Sequence, residues 1–232
     1  MAIDLNKQTE KVKFVLEKRN LNNILCEVVF VLDCSGSAEW LYKNGTMQKV
    51  TEYIFPIAFK VDRDKQLGFY LFDSSVKETG EMVTEANYAD YIQKYVLNNR
   101  KLSLWGGTNY APVVEKIVES VKPAVSKGLF GFGKKAPQDS VPTLVIFLTD
   151  GENGDERKAD EMFNKAQSEN IYWQLVGIGT GCSFRFIEKM GDKYPNVGFC
   201  TFPNIEKTSD DDLYSALLND EFAQWAQKFI KA

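Results

Sequence analysis

An α/β fold, with a doubly wound and mostly parallel central sheet covered by helices on both faces, is predicted by three features of the sequence. The first is a set of short apolar runs, led by CEVVFVL at 26–32, which is β-branched in its middle and closed by a polar turn, as expected of a strand buried on both faces. The second is the alternation of such runs with segments of helical spacing. The third is size and balance: 232 residues, 44% hydrophobic and 26% charged, supply a large soluble core for one domain and not the composition of a disordered chain.

Along the chain, residues 8–18 form a first helix outside the repeat, and 26–32 form the first central strand. Over 46–59, Met47, Val50, Ile54, Ile57 and Ala58 fall close to helical spacing, and Pro56 is expected to kink that helix because it has no N–H to donate. A strand at 66–72 follows, then helices at 88–97 and 112–121, a strand at 143–148, a helix at 159–169 and a strand at 171–178. A short helix at 184–190, a strand at 197–202 and terminal helices at 211–218 and 221–230 complete the series, with no internal repeat. The stretch KGLFGFGKKAPQDS at 127–140 breaks it and reads as a loop. Its Phe130 and Phe132 either fold back onto the domain or form a docking surface for a protein or a membrane.

Composition removes several classes of function. A net charge of −4 without a long basic run has the wrong sign for a protein that binds by neutralising phosphates, so nucleic acid is not expected as a partner. Histidine is absent, which excludes imidazole metal ligands and Ser-His or Cys-His nucleophile pairs. The four cysteines, Cys26, Cys34, Cys182 and Cys200, lack CxxC spacing and are expected to be buried thiols. The first residues lack the apolar core of a secretory signal and no apolar run approaches a bilayer's thickness, so a cytoplasmic location is expected.

Chemistry concentrates at the strand ends. Asp33-Cys34-Ser35-Gly36-Ser37 follows the first strand, Asp150 follows the strand ending Phe147-Leu148-Thr149, and Thr108 lies in the loop Trp105-Gly106-Gly107-Thr108-Asn109-Tyr110 before a predicted helix. In an open parallel sheet, ligands collect beyond the carboxyl ends of the strands. These hydroxyls and carboxylates are the donors a hard cation such as Mg²⁺ takes. Each piece alone is a turn or cap signal. The turn is expected to be exposed and to contribute little to the core.

In this order and on this framework, the pieces resemble the metal-ion-dependent adhesion site of von Willebrand factor A (vWA) domains. The stretch VVFVLDCSGSAEWLYKNGTMQKV, with FDSS, WGGTNY, GLFGFGKK and VIFLTDGENGD, is similar to the A-type domains of bacterial tellurium-resistance and stress-response proteins, from about residue 21 to 229. The resemblance implies a helical extension at 1–20 and a vWA domain at 21–232. It implies Ser35, Ser37 and Thr108 as inner hydroxyl ligands, and Asp33 and Asp150 supplying charge and orienting water. Mg²⁺, Mn²⁺ or Ca²⁺ is the implied ion, with one position open to a partner's carboxylate. Ala38 departs from the methionine usual after the last serine, which leaves open the packing beneath the turn but not the ligands.

The expected function is therefore a metal-dependent protein-binding module, not an enzyme, in a bacterial or phage stress or tellurium-resistance system. The alternative is a Mg²⁺-dependent hydrolase or phosphotransferase using Asp33; an apolar strand ending in Asp also resembles the haloacid-dehalogenase family, but Ser35 stands where that family's pattern has a second Asp, and no GxxxxGK[ST] loop is present. A copine-like membrane role is a third reading. Asp73 is expected to cap a turn, Glu152 and Asp155 to be solvated or capping, and Trp40 and Tyr110 to pack more than to meet a partner.

Overall fold

Alternating side chains along the central strands decide the layering. In β1 (Glu27–Asp33), Val28, Phe30 and Leu32 face one core while Val31 faces another; in β4 (Thr143–Thr149), Leu144, Ile146 and Leu148 divide from Val145 and Phe147 in the same way. A strand apolar on both faces needs helices on both sides, and the alternation of strands and helices supplies them. The computed structural model describes residues 3–121 and 141–230.

The sheet has six strands in the order β3-β2-β1-β4-β5-β6. β2 is Gly68–Phe72, β3 Val76–Glu78, β5 Ile171–Ile178 and β6 Val197–Phe202. All neighbours pair in parallel except β2 and β3. β1 lies between β2 and β4, so the chain runs outward first to one edge and later to the other. The switch point falls between the carboxyl ends of β1 and β4.

One face carries α1 (Leu5–Lys18), α2 (Glu39–Lys43), α3 (Thr46–Val61), α7 (Asp210–Leu217) and α8 (Asp220–Ala226); the other carries α4 (Ala111–Val121), α5 (Glu156–Ala166) and α6 (Arg185–Lys193). Helical spacing explains their seating: α5, for example, buries Ala159, Phe163 and Ala166. Their starts are capped as the sequence allows. Asp4 accepts from the Lys7 N–H at 3.1 Å, Ser209 from Asp212 at 3.2 Å and Asn219 from Phe222 at 2.8 Å.

The structure departs from the sequence expectations in five places. α3 runs on through Pro56 to Val61, beyond the expected end at residue 59. The segment expected as a helix at 88–97 forms a π-helix at Ile92–Leu97, with the Asn98 N–H reaching back five residues to the Gln93 carbonyl at 3.1 Å. The antiparallel edge strand β3 and the short α2 were not signalled, since three and five residues are too few to show a period. Cys182 is exposed, unlike Cys26 and Cys34.

α1 is not an appendage of this core. Val12, Val15 and Leu16 are buried in the same cluster as Val28 and Phe30 of β1, and Gln8 donates to Asp210 at 3.0 Å while Lys11 pairs with Asp211 at 2.9 Å. Leu16→Ala should therefore lower the unfolding free energy by about 2–5 kcal/mol. Urea denaturation followed by circular dichroism should show one transition at a lower midpoint; a separate early transition for the helix would contradict a shared core.

Candidate metal centre

Asp33 is the last residue of β1 and is fully buried. One carboxylate oxygen accepts the Ser35 N–H at 2.8 Å, which closes the turn, and the other accepts the Thr149 hydroxyl from the end of β4 at 2.7 Å. The Ser37 hydroxyl donates to Asp150 at 3.0 Å. Its proton is thereby committed, so the Ser35 hydroxyl, 3.0 Å away, donates to Ser37. Asp33, Ser35, Ser37 and Asp150 thus join in one network across the switch point. The turn is buried at Asp33 and Ser35, not exposed as expected, because β2 and the Trp105 loop close over it.

Thr108 is half-buried, and its loop is held against the turn by backbone hydrogen bonds. The Trp105 N–H donates to the Cys34 carbonyl at 2.9 Å, the Gly36 N–H donates to Gly106 at 2.9 Å, and the Gly154 N–H donates to Thr108 at 2.8 Å. The loop after β2 holds it from the other side. Asp73 accepts the Gly106 N–H at 3.1 Å and Ser74 accepts the Gly107 N–H at 2.9 Å. Asp155 accepts from both the Tyr110 and Ala111 N–H groups at 2.9 Å, at the start of α4. Buried Tyr110 shares its hydroxyl proton between Thr149 at 3.0 Å and the Gly151 carbonyl at 2.6 Å, tying the Thr108 loop to the Asp150 loop.

Several flanking residues serve this geometry in ways the sequence did not reveal. Asp73 caps its turn through the Ser75 N–H, as expected, but also fastens Gly106 and is ion-paired with Lys77. Asp155 caps α4, not its own helix. Their signal lay in FDSS and in the acid that follows Asp150, but nothing local says which distant N–H they reach. Trp105 adopts φ 73°, a left-handed conformation that costs a bulky residue roughly 1–3 kcal/mol. The Cys34 carbonyl and an edge-on contact with Tyr42, ring centres 5.1 Å apart, hold it there. Tyr42 also donates to the Asp33 carbonyl at 2.8 Å, and Ala38 is buried where α2 begins. Tyr110 packs as expected, whereas Trp40 is 54% exposed. Phe130 and Phe132 lie outside the described residues.

The electrostatics are those of an acidic site without a protein counter-charge. Burial pushes Asp33 up to about 6 against the opposing hydrogen bonds from Ser35 and Thr149, and burial raises Asp150 as well. Among the described residues no Lys or Arg pairs with either, although Asp73 has Lys77. Nor does any group of three or more His, Cys, Asp or Glu suited to a metal occur among them. The donor set is hydroxyl oxygens with two carboxylates, which fits a hard divalent cation and not a soft one.

Gly106 is where this packing leaves least room. A Cβ there would stand 2.6 Å from an Asp73 carboxylate oxygen that is already held in place, whereas one at Gly151 would meet nothing within 4 Å. Gly106→Ala should destabilise the protein by about 1–3 kcal/mol, and Gly151→Ala by less than about 0.5 kcal/mol. Parallel urea titrations check the contrast, and equal midpoints would contradict the crowding at Gly106.

Comparison with known proteins agrees with the fold. Residues 25–232 match the family model of vWA-TerF-like domains, the vWA found in the TerF C terminus. The uncharacterized protein YcbR of Bacillus subtilis is 32% identical over 231 residues, covering 98% of this chain and 87% of that protein. Among solved structures, proximal thread matrix protein 1 of the mussel byssus superposes with a TM-score of 0.57 at 17% identity over 88% of this chain, which spans about half (49%) of the mussel chain. Manganese-loaded Plasmodium vivax TRAP gives 0.56 at 17% identity, over 86% of this chain and 74% of that one. The SpRpn10 VWA domain gives 0.52 at 15%, over 82% and 94%. With a family match over most of its length and a relative aligned almost end to end, the chain belongs to the TerF-like vWA family.

Proposed function

We propose that this chain is a metal-dependent protein-binding module in which Asp33, Ser35, Ser37, Thr108 and Asp150 hold a Mg²⁺-type ion, Mg²⁺, Mn²⁺ or Ca²⁺. The observation that carries the reading is the gathering of two uncompensated carboxylates and the Ser35 and Ser37 hydroxyls at the sheet's switch point, beside a Thr108 loop pinned from three directions. An ion bound there would offer a hard Lewis-acid position to an anionic oxygen, so the partner contributes an Asp or Glu carboxylate. Manganese in the TRAP structure, and zinc in the MIDAS motif of another structure of the mussel protein, support a divalent ion on this fold.

An interaction role fits the buried position of Asp33 better than catalysis. Both of its oxygens are engaged and the residue is fully buried, which leaves the carboxylate no open path to attack a substrate. The tie to TerF supports a bacterial or phage stress or tellurium-resistance complex as the setting. No helix among the described residues is long and apolar enough to cross a membrane, and we place the module in the cytoplasm, without nucleic acid as partner. Residues 1–20 serve as a helical extension bracing the domain at 21–232.

Isothermal titration of the metal-stripped protein with Mn²⁺ and Mg²⁺ tests this. The parent should bind about one equivalent, and at an excess of roughly 100 Kd the ion should stabilise folding by about 2.7 kcal/mol. Asp150→Asn and Ser37→Ala, which leave the Asp33 hydrogen bonds in place, should lose this binding by tenfold or more (about 1.4 kcal/mol) while keeping their circular dichroism. Variants that bind as the parent does would remove these residues from the site.

A further inference from the structure

Trp40 is the exposed large apolar residue nearest in sequence to the ion-site turn, three positions beyond Ser37 and 54% accessible. It forms one wall of a crevice of about 160 Å³ with Asn44, Thr46, Ile178, Pro203 and Glu206. Ligand pockets for cofactors and metabolites run from roughly 300 to 1,000 Å³, so this one is the size of a single side chain. Its location is set by topology. Ile178 ends β5, the strand adjoining β4, which delivers Asp150; at about 4.8 Å between strands, the crevice opens on the order of 5–10 Å from the ion-site carboxylates.

Two features define what fits it. Glu206 turns one carboxylate oxygen to the Thr46 hydroxyl at 3.0 Å, inside the crevice, and has no ion pair among the described residues. Lys43 on the same short helix as Trp40 does not neutralise it, being engaged by Glu39 at 2.9 Å. An accessible indole face beside an unpaired carboxylate is a receptor for an alkyl chain ending in a cation: the stem lies on the ring and the charge reaches the acid. Tryptophan is also the residue type most enriched where binding energy concentrates.

We propose that this crevice takes a lysine or arginine side chain of the same partner segment whose carboxylate completes the ion, so that the module recognises an acidic and a basic residue a few positions apart. In an extended segment rising about 3.3 Å per residue, the distance between the two sites corresponds to a separation of roughly two to three residues. The proposal rests on the metal-dependent reading above, and its test separates the two.

The probes are acetyl-Asp-Gly-Gly-Lys-amide and its counterpart with norleucine for lysine, titrated by isothermal calorimetry into the full chain loaded with diamagnetic Mg²⁺, with the Trp40 indole N–H of the parent followed in parallel by NMR and assigned with Trp40→Phe. The lysine peptide should bind about tenfold more tightly than the norleucine peptide, and that advantage should vanish in Trp40→Ala and Glu206→Gln, whose Mn²⁺ affinities match the parent's. Equal binding of the two peptides, or an advantage that survives Glu206→Gln, overturns the crevice assignment while leaving the ion site standing. In a parallel arm, n-butylammonium should move the Trp40 signal saturably in metal-free protein and n-butanol should not. If n-butylammonium does so but the parent binds no Mn²⁺, the metal reading fails and the paired recognition fails with it, whereas Mn²⁺ binding with a silent Trp40 sinks the crevice alone.

Discussion

The buried carboxylate of Asp33 is the constraint from which the rest of the site follows. It bonds the Ser35 N–H to close its own turn and the Thr149 hydroxyl to lock the ends of β1 and β4 together. Those strands flank the point where the sheet reverses its order, so the carboxylate sits at the mouth of the crevice that such folds leave open. Burial makes its charged form costly and so raises its pKa. A divalent ion would relieve that cost, and metal affinity and stability would then be linked through one group.

Rigidity around this point comes from residues outside the expected ligand set. Asp73 and Asp155 spend their carboxylates on backbone N–H groups of the Thr108 loop, and Tyr110 spans from that loop to Thr149 and Gly151. Each bond is individually modest, but together they restrict a glycine-rich segment that would otherwise lose much conformational entropy on ordering. Trp105 remains in its left-handed conformation because that network surrounds it. The loop therefore meets a ligand already shaped, which lowers the ordering cost of binding.

An ion that accepts a carboxylate gives affinity but little discrimination, since acidic side chains are common on protein surfaces. Specificity needs a second point of contact, and the Trp40 and Glu206 crevice lies at the same sheet edge on the adjoining strand. Two sites of opposite charge preference at a fixed spacing reject segments that offer only one of the two. The arrangement follows from the fold: α2 is short and follows directly after the ion-site turn, which brings its indole to the rim of the sheet.

Strand positions were legible because a sheet buried on both faces needs long apolar runs; β5 and β6 coincide with the expected spans 171–178 and 197–202. The gathering of Asp33, Ser35, Ser37 and Asp150 at one edge was legible as well, because strand ends in parallel sheets share that edge whatever the loops do between them. What the sequence could not contain was which distant donor each flanking acid meets. Asp73 and Asp155 read as local caps, since an Asp bonding its own turn and one bonding a backbone N–H thirty or more residues away have the same local pattern. The π-helix at Ile92–Leu97, the antiparallel β3 and the exposure of Trp40 were likewise settled by packing, where neighbours remote in sequence override weak local preference. Local sequence determined which backbone segments bury their apolar faces and where the oxygen donors emerge; only tertiary contact decided how those donors are held and what surface surrounds them.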